Sequence, residues 1–306
     1  MSGPMTSPLA GIGLVVAAVA CFAALDTTTK LVSSAIPLLM ALWFRYLVQA
    51  VATTAVVLPM RGLGALRTAH PKFQLLRGVL LLTSSLFAFL SLKYMPVAEF
   101  TAIVAIAPLV ITLLAATTLG ERVSGLRWLL VLGAFAGTLV IIRPGGDNFG
   151  WPMLLPLVVV ATNAWFQILT SKLARTENPV TMHLYTGWIG TLLASLLLPF
   201  FWTALPLPMW GALLFMGTAA TLGHFMLILA LKRAPAATLT PYLYTQIGFA
   251  MLGGWLVFSH LPDRWSLAGM VLIALCGAAG AWLTMRENQA LRFASAQALR
   301  QGAAQP

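Results

Sequence analysis

The chain has 306 residues, of which 60% are hydrophobic and only 8% charged, with a mean hydropathy of +0.91. A soluble chain carries about a quarter charged residues, so this one lacks the polar surface that water demands, and an ordinary soluble fold is excluded. Its net charge of +11 comes without a basic run or an aromatic–basic module, which excludes nucleic acid as a partner.

Apolar runs broken by charges and prolines predict ten helices, at residues 9–33, 36–59, 75–94, 97–118, 126–143, 151–172, 178–201, 207–231, 236–258 and 265–285. Each is longer than the ten or so residues of a barrel strand, and none alternates strictly, so the spans are helical. Ten spans of about 20 residues use nearly the whole chain and leave no room for a soluble domain. No Lys or Arg precedes Leu9, so a cleaved signal peptide with a basic leader is not expected.

The first span carries Asp26 and Lys30, four residues apart on one face and spaced for an ion pair. Arg45 lies nine residues into the second span, about 13 Å along it at 1.5 Å per residue, which leaves a contact with Asp26 geometrically open. Such groups cost roughly 2.5–3.5 kcal/mol each at a membrane helix centre. Two readings stand: a charged lining of a substrate cavity or its outer mouth, or a structural pair that sets the packing of the first two helices.

In the fourth span Pro96 suits a first helical turn, and Glu99 follows where unpaired N–H groups and the positive helix end favour a carboxylate. Glu99 is equally a candidate for proton coupling or for contact with a substrate amine. Pro108 in the fourth span and Pro241 in the ninth interrupt helices in corresponding positions, a pattern that points to a transport site. Tyr242, Tyr244 and Gln246, with Thr240 and Thr245, add hydroxyl and amide groups beside Pro241. Asn163, Trp165, Gln167, Tyr185 and Trp188 in the sixth and seventh spans, with Trp43 and Tyr46 in the second, offer aromatic faces to a flat or cationic solute. They read equally as packing or interface anchors. His183 and His224 are candidates for carrying a proton or for joining helices by hydrogen bonds. GAFAG, residues 133–137, is a close-packing motif for a neighbouring helix, with a homodimer surface as its weaker reading. Cys21 and Cys276 both lie in apolar segments, so no disulfide, metal site or cofactor is expected.

Lys and Arg fall thirteen on one side of these spans, Arg77 among them, and four on the other, with Arg45 inside, which predicts that both termini are cytoplasmic. LKYMPVAEF, from Leu92, returns 139 residues later as LKRAPAATL, from Leu231; Thr29-Lys30-Leu31 returns as Ser171-Lys172-Leu173. Such offsets mark a duplicated unit of about 140 residues. An odd number of helices per unit turns the second copy over in the membrane. The predicted organisation is all-α, ten transmembrane helices in two inverted five-helix repeats, residues 1–145 and 146–288, with a cytoplasmic tail at 289–306. Inverted repeats are the architecture of secondary transporters.

The run from LKYMPVAEF through IAPLVITLLAATTLGE and GAFAGTLVIIRPG, with Asp26, Lys30 and Arg45, resembles the EamA-type drug/metabolite transporter superfamily. The second copy departs from it, with Phe258-Ser259-His260 in place of Leu119-Gly120-Glu121. The resemblance implies a bacterial inner-membrane carrier with alternating access for small organic solutes. Export of amino acids or related metabolites is the first expectation, with uptake of riboflavin or S-adenosylmethionine as the alternative. An intramembrane enzyme is the remote alternative, because no HExxH, aspartate pair or phosphate loop appears. The expected partners are a small-molecule substrate and lipid, with proton coupling or ion-free exchange both left open and the chain a monomer or weak homodimer.

Overall fold

A computed structural model describes residues 8–110, 114, 125–143, 150–173, 176–233, 239 and 242–302. Helices α1 (Pro8–Val32), α2 (Leu38–Arg61), α3 (Pro71–Tyr94) and α4 (Val97–Val104) are followed by α5 (Gly125–Ile142). Next come α6 (Leu155–Leu173), α7 (Pro179–Ser195), α8 (Leu207–Arg233), α9 (Thr245–Phe258) and α10 (Arg264–Gly302). No strand occurs among the described residues. Six of these helical segments are at least 20 residues long and apolar enough to cross a bilayer. The chain is an all-α multi-pass membrane protein.

The outward faces carry the apolar side chains that a soluble protein would bury. Leu129, Leu132 and Phe135 on α5 and Val271 and Leu275 on α10 are exposed. A contiguous apolar surface of this kind matches lipid. Many hydroxyl groups inside the spans bond to their own helix. Thr27, Thr28 and Thr29 each return a hydroxyl to the carbonyl four residues back, at 2.7, 2.8 and 2.8 Å.

Packing pairs α1 with α8 and α3 with α6; α1 with α9 and α6 with α4; α2 with α8 and α7 with α3. The helices α2 and α7, α4 and α9, and α5 and α10 also pair. Replacing every helix by the one five places along leaves this set unchanged.

Small residues set the closest approaches. On α5 a Cβ at Gly137 would stand 2.9 Å from the Gly269 carbonyl oxygen of α10, and one at Gly269 would stand 2.6 Å from the Gly137 oxygen. The GAFAG face is therefore used inside the molecule, against α10.

Helix α4 ends at Val104, where Ala105 and Ile106 form a turn before residues 107–110 resume helically. Val104 is four residues before Pro108, whose ring displaces that carbonyl from the helical ladder. In the other half Tyr244 interrupts the helix between 242–243 and Thr245. Pro241, Thr240 and Glu121 lie outside the described residues. The third helix starts at Pro71 rather than 75, because Pro at the first helical position needs no N–H partner there. The last helix runs on to Gly302, past the 285 predicted from hydropathy alone.

Candidate functional site

Contacts define two ends of the bundle. At one end, Lys30 extends from the last turn of α1 and donates to the carbonyls of Leu92 (3.0 Å) and Met95 (2.9 Å) where α3 finishes. Its ammonium also lies 5.7 Å from the centre of the Phe258 ring. The expected Asp26–Lys30 ion pair is therefore not made. The stretch Thr27–Thr29 holds a regular helix, but the lysine is long enough to reach orphan carbonyls at a neighbouring helix end, which need a donor.

Glu99 is buried in the first turn of α4, yet the helix start has no side-chain cap. Its Oε1 meets the Nε2 of His260 at 3.2 Å, while Oε2 is buried without a partner. A cleft of about 300 Å³ opens here, lined by Lys30, Lys93, Tyr94, Met95, Pro96, Val97, Gly254, Phe258 and His260. Beside it, sharing Lys93, lies a second hollow of about 360 Å³ bordered by Ser33–Pro37, Thr203 and Ala204.

At the other end, the buried carboxylate of Glu177 accepts from the Thr68 hydroxyl (2.6 Å) and from the backbone N–H groups of Ala69 (2.8 Å) and His70 (3.1 Å). It holds the turn ahead of α3. Tyr185 closes the same end by donating to the Leu66 carbonyl at 2.8 Å.

Between the ends lies a polar core. Asp26 accepts from the Gln246 amide of α9 at 3.3 Å. Arg45 is near enough for its charge to act on Asp26, but no ion pair joins them among the described residues. The Arg45 Nη1 donates to the Ser85 hydroxyl at 2.5 Å; that hydroxyl sits 2.7 Å from the Tyr46 hydroxyl and donates to the Leu81 carbonyl at 2.8 Å. With its own proton spent on Leu81, Ser85 accepts from both Arg45 and Tyr46. The Nε of Arg45 is buried and unpaired.

Gln49 stands one turn beyond Arg45 and donates to the His183 carbonyl at 3.2 Å and to its Nδ1 at 3.3 Å. The carbonyl can only accept, so the nearby amide atom is the NH₂, and Nδ1 is the lone-pair nitrogen. The Nε2 of His183 therefore carries the proton, and it is buried without a partner. His224 bonds the Ala220 carbonyl through Nδ1 at 2.9 Å, and its ring centre is 6.1 Å from that of His183. The charges of Arg45 and Arg77 both act on His224.

Arg77 is a correction to the charge count, which placed it with the loops. It sits in the second turn of α3 and is 4% exposed. Its Nε donates to Thr170 (2.8 Å) and its Nη1 to Gln74 (2.9 Å) and the Met182 carbonyl (3.2 Å), with the Phe166 ring 5.0 Å away. The earlier start of α3 brings it inside the bundle. Gln49, Gln74, Glu177 and His260 were also not singled out from sequence. For Gln49 the signal was its spacing of four from Arg45, which puts both on one helix face.

Other anticipated residues are placed apart from this core. Trp43 donates to Ser195 at 2.7 Å and Trp188 to Thr54 at 3.0 Å, ties between α2 and α7. Trp165 and Gln167 are exposed on α6, where the Gln167 amide bonds Asn163 at 3.3 Å. Tyr242 packs against α1 and α8, and the Tyr244 hydroxyl is buried without a partner beside Gly277.

A bundle of paired helices with ionisable groups enclosed between them is a form that membrane transporters take. The comparisons agree. Residues 9–143 match the EamA-like transporter family. A riboflavin transporter of Rhizobium johnstonii is 31% identical over 216 residues, 69% of this chain and 70% of that protein. An S-adenosylmethionine uptake transporter of Rickettsia bellii is 24% identical over 86% of this chain and 90% of its own length. The pseudopaline exporter CntI of Pseudomonas aeruginosa is 27% identical over 87% and 93%. A solved crystal structure shares the fold with a TM-score of 0.62 at 20% identity, over 88% of this chain and 98% of that one. The chain belongs to the EamA-like transporter family and is a membrane transporter of the drug/metabolite type.

Proposed function

We propose that this transporter is a secondary carrier for amino-acid-type zwitterions, working by alternating access and running outward from the cytoplasm. The observation that carries this reading is the relation of Asp26 to Arg45. A carboxylate and a guanidinium lie within reach of each other's charge inside the bundle, and neither is in an ion pair among the described residues. A zwitterion supplies both missing partners, its ammonium to Asp26 and its carboxylate to Arg45. Charge-assisted hydrogen bonds of this kind contribute about 1.5–3 kcal/mol each.

Asp26 belongs to α1 and its partner Gln246 to α9, so one bound solute would be felt by both halves. Residues 1–145 and 146–288 form, in this reading, the two inverted repeats, and the five-place exchange of helix pairs supports it. Near-equivalent halves give inward and outward shapes similar in energy, which modest differential binding can shift. With Arg77 inside the bundle, Lys and Arg still fall twelve to four, which supports an inner-membrane orientation with both termini, and the tail at 289–306, in the cytoplasm. A carrier without a driving ion follows its solute's gradient, and a metabolite made inside the cell runs outward.

Uptake of a cofactor-type solute is the second reading, favoured by relatives named for S-adenosylmethionine uptake and riboflavin transport. Counterflow in proteoliposomes, with amino acids, S-adenosylmethionine and riboflavin as labelled solutes, tests both. Saturable amino-acid exchange that falls about 10- to 100-fold in Asp26→Asn and in Arg45→Gln is expected from the loss of one charged contact. Exchange of no amino-acid-type solute would overturn the first reading.

A further inference from the structure

The polar core has more donors than acceptors. Arg77 is enclosed by neutral partners only: a threonine hydroxyl, a glutamine carbonyl and a backbone carbonyl. Beside it, the amide Nε2 of Gln74 is buried and unpaired, and so is the protonated Nε2 of His183. Gln74 is fully buried and His183 is 9% exposed, so water is not a ready substitute. A buried cation without an anion and two buried donors without an acceptor are each costly arrangements. They adjoin one another near the starts of α3 and α7, where Arg77 bonds both Gln74 and the carbonyl of Met182, the residue before His183.

The groups missing there are all of one kind, anionic oxygen acceptors. We propose that Arg77, Gln74 and His183 form a second anion subsite in line with Asp26 and Arg45, so that the preferred substrate is a net-anionic amino-acid-type metabolite with a second acidic group. This rests on the zwitterion reading of Asp26 and Arg45 and narrows it. The α-ammonium and α-carboxylate would occupy the first pair, and the second carboxylate or phosphate would accept from Arg77, Gln74 and His183. His224, whose ring centre lies 6.1 Å from that of His183, adjoins this second subsite. Counting Asp26 against Arg45 and Arg77, the core has one positive charge in excess. The sulfonium of S-adenosylmethionine would add another, which makes that solute a poor fit.

The test compares solutes that differ in charge and hardly in shape. In proteoliposomes containing the full chain, glutamate and glutamine, aspartate and asparagine, and lysine compete for exchange of a labelled zwitterion. The expected result is that each acid competes at least about tenfold better than its amide, the effect of one hydrogen-bonded charge, and that lysine competes worst. R77Q should bring the acid-to-amide ratio within about twofold of unity, and His183→Phe should lower it by about threefold. A purely structural role for Arg77, tying α3 to α6 and α7, would reduce the amount of folded protein but leave that ratio alone. Amides or lysine competing as well as the acids in the wild type would overturn this inference and leave the zwitterion reading standing. A strong acid preference that R77Q and His183→Phe do not alter would overturn the subsite. Exchange of no amino-acid-type solute would remove both readings together. The wild-type comparison stands even if R77Q does not fold.

Discussion

The Glu99 carboxylate of α4 and the His260 imidazole beyond α9 meet at 3.2 Å, although 161 residues separate them in the chain. A carboxylate in a first helical turn would ordinarily serve its own helix end. Here it reaches across to the segment after α9, on the wall of the cleft that holds Lys30 and Phe258. The contact joins parts of the chain on either side of its midpoint, and it does so at one mouth of the bundle.

This contact should restrain opening at that mouth. Val97, 1% exposed and next to the cleft, is a suitable reporter. In His260→Ala a cysteine at Val97 should be labelled by a membrane-impermeant thiol reagent about fivefold faster, the effect of about 1 kcal/mol. Glu99→Gln keeps the Oε1 acceptor and should change labelling less. Equal labelling in wild type and His260→Ala would show that the contact restrains nothing. Because Glu99 is tied to His260, Glu99→Gln should also leave any proton dependence of transport in place.

Lys30 should matter through α3 and not through Asp26. It supplies a charged donor to two carbonyls at a helix end, and bonds to charged groups contribute about 1.5–3 kcal/mol. Lys30→Met should lower the thermal midpoint in detergent by several degrees. The double variant Lys30→Met/Asp26→Asn should be additive in stability to within about 0.5 kcal/mol. A coupling energy well above that would restore the ion pair suggested by their spacing.

The span pattern was legible because lipid imposes one rule on every helix: about 20 apolar residues and no unpaired backbone. The break near Pro108 was legible for the same kind of reason, since the ring removes a specific helical bond whatever surrounds it. Partners were not. Asp26 and Lys30 share a helix face, yet one turns to Gln246 and the other to carbonyls of α3. Which one a long side chain chooses depends on helices distant in sequence. Arg77 was misplaced because a helix that begins at Pro71 and one that begins four residues later look alike in hydropathy, while only the first encloses the guanidinium.

The α5–α10 contact makes its own prediction. A methyl group at Gly269 would sit 2.6 Å from the Gly137 carbonyl oxygen, and backbone on both sides cannot swing away as a side chain could. Gly269→Ala should cost about 1–3 kcal/mol, read as a lower thermal midpoint, with the same direction for Gly137→Ala. A substitution at Gly211, where nothing lies within 4 Å of an added Cβ, is the control and should be nearly neutral. If Gly269→Ala instead left stability unchanged and altered only the oligomeric state, the motif would be serving an interface between copies.

The last prediction concerns acid. Asp263 lies in the connection ahead of α10, where the Arg143 guanidinium and then the Ser266 N–H, at 2.7 Å, hold its carboxyl at about 2, below its ordinary 3.8. A carboxyl group lowered on folding binds its proton more readily in the unfolded chain. Its contribution to stability is therefore complete above about pH 4 and disappears as the pH falls through about 2. Thermal midpoints measured down this range should drop more steeply for the wild type than for Asp263→Asn, and the two curves should converge near pH 2. Both side chains are largely exposed, at 40% and 49%, so the difference should also shrink at 1 M salt, where screening acts over about 3 Å. Parallel curves for the two proteins between pH 4 and 2 would mean that Arg143 and Asp263 contribute nothing to holding α5 against the start of α10.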